Sequence, residues 1–329
     1  MRQSNFELLR IIAMFAIVLH HLIVNAINVV GYNIPFVSNI NNNTLLVVNS
    51  FLTGGVNCFI LISGYFGIKL SKHSVIRLLF DCIIVAFIGV LICYLFSGDT
   101  LILKPTSIWN NCKFTHYWFV THYLILMLLS PIIESSMKSM SYREFTTWLI
   151  ILIFINLYFG YYLGVVNRDG YNFVNFIMLY YIGRYLRISN DYSWYKIISR
   201  YSFYISISVC VVFSFLYIVV SDFAWIKGMK YWAYNSPWVL ISSMSIFMYF
   251  SNMKINNKWI NMVAKGAFGI YLLQGVGAFA PMRNNWAIIS YNELGILGLL
   301  AYSCGLFLVL ATISLLINKC TKKIYNSIK

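Results

Sequence analysis

The first long apolar run carries three ionisable side chains at helical spacing. In FELLRIIAMFAIVLHH, residues 6–21, Arg10 follows Glu7 by three positions and His21 follows Arg10 by eleven. At 100° per residue, eleven positions return His21 to within about 20° of Arg10 and carry it about 16 Å along the axis. Glu7 joins the same stripe, whereas His20 is turned about 100° away from His21 and faces elsewhere. If the run crosses a membrane, such a stripe must face the protein interior or a wet cavity. A deep histidine suits a general base at neutral pH, taking the proton from a hydroxyl as it attacks an acyl group. An arginine nearer the entrance suits a phosphate. A structural role fits the same residues, with Glu7 and Arg10 as a local ion pair and His21 as an interhelical hydrogen bonder.

A second group, Lys69, Lys72, His73 and Arg77, forms a short basic loop. It reads as a clamp for a phosphorylated ligand, as a contact for anionic lipid, or as a topology signal. Asp81, four residues after Arg77, is placed for a helical ion pair. In HYWFVTHYLILMLLSPII, residues 116–133, His116 and Trp118 fit an interfacial aromatic belt, and His122 fits structural hydrogen bonding. No GxSxG elbow, Walker loop or HExxH motif occurs, so serine-esterase and ATP-driven mechanisms find no support. The seven cysteines show no CxxC and no zinc spacing, and most sit in apolar runs as small hydrophobes. No metal site is expected.

The elements that must hold these residues are membrane helices. Of 329 residues, 60% are apolar and only 10% charged, against roughly 25% charged in a soluble domain. That excludes an ordinary soluble protein and a disordered chain. The long apolar runs also exclude a β-barrel, whose strands would alternate over short segments. A span needs about 20 mostly apolar residues. The pattern predicts an all-α, polytopic bundle of about ten transmembrane helices near 8–27, 44–68, 75–97, 116–133, 145–163, 173–187, 201–221, 236–250, 260–280 and 295–317, forming one domain over 1–329. The first is read as a full span rather than a cleaved signal, because Glu7 and Arg10 intrude at its start.

Ten spans put both termini on one side. With that side cytoplasmic, sixteen Lys and Arg fall inside and six outside, among them Lys104, Lys113, Arg168, Lys227, Lys230 and Arg283; Arg10 and Lys265 fall within spans. The bias obeys the positive-inside rule. The net charge of +15 is then a record of topology and not a nucleic-acid surface. The asparagine-rich, uncharged loop at 28–43 suits the outer side.

These blocks resemble the acyltransferase-3 family of polytopic, mostly bacterial membrane acyltransferases that O-acetylate surface and secreted polysaccharides. Arg10 and His21 match its Arg-x10-His motif, followed in order by FILISGYF (59–66), WFVTHYLILMLLSPII (118–133), YYIGRYLRI (180–188) and FGIYLLQ (268–274). The resemblance implies ten spans with cytoplasmic ends in the bacterial cell membrane. It implies His21 as catalytic base, with Glu7 and Arg10 in the same machinery. Arg10 would help hold acetyl-coenzyme A, reached from the cytoplasm, and Lys69, Lys72 and Arg77 would complete the donor clamp. Lys69-x-x-Lys72 stands nearest to the family's Arg-x-x-Arg pair, with lysine in place of arginine. Family members often end the FGIYL block with histidine, where this chain has Gln274, so no catalytic role is placed there. The expected partners are membrane lipid, acetyl-coenzyme A and a glycan acceptor bound by the domain's own loops and cavity. Transfer is direct or passes through acetyl-His21. The rival reading is a transporter or flippase of a lipid-linked glycan, which would show repeated halves. A further one is a sensor that binds acyl donor without turnover.

Overall fold

The computed structural model describes residues 3–28, 40–166, 169–220 and 231–328. Most of the asparagine-rich loop, at 29–39, lies outside the described residues, as do Arg2, Arg168, Asp222, Lys227, Lys230 and Lys329. Among the described residues the regular structure is helical, with no strand. The α-helices are α1 (Ser4–Leu22), α2 (Ile40–Leu52), α3 (Gly55–Phe66), α4 (Lys72–Ser97), α5 (Pro105–Cys112), α6 (Trp118–Ser139), α7 (Tyr142–Phe154), α8 (Phe173–Ile188), α9 (Ser193–Val220), α10 (Pro237–Asn252), α11 (Lys258–Val263), α12 (Ala267–Gln274) and α13 (Ala280–Ile328). α1 and α7 each run on as a π-helix, at Ile23–Ile27 and Ile155–Tyr162. α13 bends at Gly295, whose φ of 62° is open to glycine at no steric cost.

Among the described residues seven stretches are long and apolar enough to cross a membrane: Ser4–Ile27, Asn43–Phe66, Lys72–Ser97, Trp118–Ser139, Tyr142–Tyr162, Ser193–Val219 and Ala280–Lys322. They correspond to seven of the ten expected spans. Two others, α8 and α10, are helices of 16 residues each, about 24 Å long at 1.5 Å per residue. The expected 260–280 span is not one helix. It breaks into α11, a 3-10 turn at Ala264–Gly266, α12 and a non-helical stretch through Phe279. Lys265, expected inside a span, is an exposed residue of that turn.

The chain divides into two compact units. One comprises the described parts of Met1–Asn28, Ser71–Thr121 and Asn257–Lys329, and holds α1, α4, α5 and α11 to α13. Within it the broken segment is tied down by side chains from other elements. Broken helices leave carbonyls and amides without intrahelical partners, and apolar surroundings tolerate this only when other groups take them up. Here Asn318 Nδ2 donates to the Lys265 carbonyl at 2.9 Å and Ser314 Oγ to the Gly266 carbonyl at 2.7 Å. At the other break Arg283 Nη1 donates to the Gln274 carbonyl at 2.8 Å, His116 Nε2 bonds the Gly275 carbonyl at 3.0 Å, and the Gly277 amide donates to Asn111 Oδ1 at 2.7 Å. The loop then packs through Val276 against Val90 and Cys93 of α4.

The second unit comprises the described parts of Val29–Leu70 and His122–Asn256. Its tightest crossing is α3 on α8. A Cβ on Gly64 would stand 2.2 Å from the Tyr180 carbonyl oxygen, and one on Gly183 2.3 Å from that of Leu61. Only glycine permits this approach, the small-residue packing common between membrane helices. Glu134 accepts from both Tyr180 and Arg184 beside it, and the Tyr180 hydroxyl accepts from the Ile68 amide at 2.8 Å. Five cysteines, Cys58, Cys82, Cys93, Cys112 and Cys210, are buried as expected of small hydrophobes, while Cys304 and Cys320 are exposed.

Candidate active site

The stripe on α1 holds together as one uninterrupted helix, but its members do different things. Arg10 Nη1 donates to Glu7 Oε1 at 2.5 Å, with Glu7 buried and Arg10 partly exposed. This is the ion pair that their spacing predicts. His21, on the last turn of α1 and partly accessible, lies about 16 Å further along the axis. Glu7 and Arg10 therefore do not touch it.

His21 has surroundings of its own. Although neighbours on a helix diverge, the His20 and His21 rings lie 5.9 Å apart at 44°. The buried side chain of Gln274, at the end of α12, faces the His21 ring. Its amide atoms form no well-aligned hydrogen bond with any other described residue. Arg283, 5% exposed, is close enough to interact electrostatically with His21. Arg283 Nε and Nη2 both donate to Asn284 Oδ1 at 3.1 Å, and its carbonyl accepts from Tyr302 at 3.1 Å. Among the described residues no carboxylate pairs with it. The Asn284 amide in turn reaches the Asn25 carbonyl, just past His21 on the π-helical extension, at 3.5 Å. A cavity of about 480 Å³ with an otherwise apolar lining takes Arg283 and Tyr302 as its polar members. His21 and a buried guanidinium thus share one end of the unit: Arg283 holds the Gln274 carbonyl, and the Gln274 side chain faces the ring. The pair has the parts for moving a proton and for steadying a negative oxygen.

The predicted donor residues have different surroundings. Lys69 is exposed in the second unit, and Lys72 is exposed at the first turn of α4, which Ser71 caps. Arg77 pairs with Asp81 at 3.7 Å, as their spacing predicts. It also lines a cavity of about 730 Å³ with Lys265, Lys319 and Lys322, a lining that includes neither Arg10 nor Lys72. His116 holds the Gly275 carbonyl, a more definite task than a place in an aromatic belt. Burial raises the Cys112 thiol above its ordinary pKa, consistent with an inert packing residue.

A family model described as an acyltransferase domain matches residues 3–318. The chain belongs to the acyltransferase-3 family. No curated protein and no solved structure matches it. In this multi-pass membrane acyltransferase, sequence reasoning missed two residues that the fold brings to His21. Arg283 was expected as an outer-loop charge, yet it is buried near the start of α13. Its placement beside a run of asparagines and just past a glycine-rich stretch was the available signal. Gln274 was set aside as a departure from the family pattern, yet its position faces the predicted base.

Proposed function

We propose that this acyltransferase carries an acetyl group from cytoplasmic acetyl-coenzyme A to a hydroxyl of a bacterial cell-surface polysaccharide or its lipid-linked precursor. The protein would sit in the cytoplasmic membrane with both termini inside, as the charge bias favours. The observation that carries the reading is His21, partly accessible on a spanning helix, with Gln274 against its ring and Arg283 beside it.

In this reading His21 accepts the proton of the acceptor hydroxyl as its oxygen attacks the thioester carbon. The carbon–sulfur bond breaks, the ester forms, and the imidazolium returns its proton to the leaving thiolate. Arg283 steadies the negative oxygen that develops on the acetyl carbonyl, the kind of preorganised donor that acts most strongly away from water. Gln274 orients the imidazole. Arg10, held by Glu7, lies on the donor's route, and Lys69, Lys72 and Arg77 attract its phosphates.

His21→Ala tests the assignment, with glycan O-acetyl read by NMR and protein level checked. Acetylation is expected to fall by at least ~10²-fold, the usual scale for losing a general base. Unchanged acetylation at equal protein level rejects His21. Release of free coenzyme A by purified protein given donor and acceptor separates this reading from a transporter.

A further inference from the structure

The cavity lined by Arg77, Lys265, Lys319 and Lys322 takes no part in the proton transfer at His21, and of its basic residues only Arg77 has been given to the donor. Its one carboxylate, Asp81, is already engaged with Arg77. Among the described residues no carboxylate pairs with Lys265, Lys319 or Lys322. Three ammonium groups around one space repel each other unless an anion lies between them. A topology signal needs only a number of lysines near the membrane surface. Here their positions are also fixed. Lys319 and Lys322 stand at i and i+3 on one face of α13. Lys265 is held across from them because Asn318 and Ser314 grip its carbonyl and that of Gly266. Phe268 and Leu315 supply an apolar wall. The volume of about 730 Å³ falls within the roughly 300–1,000 Å³ of small-molecule sites.

We propose that this cavity is a phosphate-binding site, in which Lys265, Lys319 and Lys322 surround the phosphate of a ligand whose less polar part, an adenine ring or an acyl chain, lies along Phe268 and Leu315. Lysine serves here as a point charge for phosphate. Two ligands carry that chemistry: the phosphorylated end of coenzyme A, which rests on the function proposed above, and the headgroup of an anionic phospholipid, which does not.

The test uses the full chain in nanodiscs of phosphatidylcholine, with coenzyme A binding measured calorimetrically for the wild type and for K265Q/K319Q/K322Q. A second arm measures by native mass spectrometry the phosphatidylglycerol retained by each protein. K319R/K322R, which keeps the charge, guards against a folding defect and should bind like the wild type. A loss of ~10-fold or more in coenzyme A affinity, with weaker salt dependence, assigns the site to the donor. Unchanged coenzyme A binding with phosphatidylglycerol lost assigns it to lipid. If the neutralised protein keeps both ligands as the wild type does, the proposal is overturned. A wild type that binds no coenzyme A counts against the donor reading alone, and the lipid arm still decides the cavity.

Discussion

Arg283 brings a full charge to a place where a backbone carbonyl and a side-chain amide are its hydrogen-bond partners. Such a group is costly to bury and is kept where its charge is used. Under the proposed function, replacing it by Met should lower kcat by ~10²–10³, the scale for losing one oxyanion donor, with KM for the proposed donor little changed. Arg283→Lys keeps the charge and should recover part of that loss. If both variants unfold at lower temperature in detergent and lose kcat and KM together, Arg283 is only a structural anchor. At this scale the sequence was informative wherever one helix supplies the whole relation. The Glu7–Arg10 and Arg77–Asp81 pairs follow from spacing alone. Gln274 and Arg283 meet His21 only through tertiary folding across some 250 residues, and no local spacing encodes that.

Among the elements, the long helices were legible because apolar runs that must bury all their backbone bonds in lipid have few alternatives. The break between α11 and α12 was not. Hydropathy counts side chains, whereas the break depends on Ser314 and Asn318, far along the chain, reaching the carbonyls that it frees. The close crossing of α3 and α8 gives a clean contrast. Gly183→Ala places a methyl group against the Leu61 carbonyl and should cost about 1–3 kcal/mol, read as a fall of several degrees in Tm in detergent. Gly305→Ala, on α13 with nothing within 4 Å of the added carbon, should leave Tm unchanged. Equal Tm for the two variants would remove the crossing from any account of stability.

For the whole molecule, membrane residence and helical class followed from composition, because a chain with 10% charged residues has too little polar surface to face water. The number of crossings did not follow so simply, since α8, α10 and the α11–α12 segment fall short of a full uninterrupted span. The proposed orientation is open to direct measurement. Ser71→Cys in an otherwise cysteine-free chain should react with an impermeant maleimide only after the cells are permeabilised. Labelling in intact cells would reverse the orientation and with it the side from which donor arrives.

The tethering of residues 264–277 also bears on how the protein is made. Two of its backbone anchors, Asn111 and His116, precede it in the chain, but three others, Arg283, Ser314 and Asn318, are translated after it. When α12 leaves the ribosome, His116 and Asn111 are already available to Gly275 and Gly277, whereas the carbonyls of Lys265, Gly266 and Gln274 still lack the side chains that take them up. The anchors that fix the segment ending at Gln274, beside His21, are thus complete only once α13 has been translated.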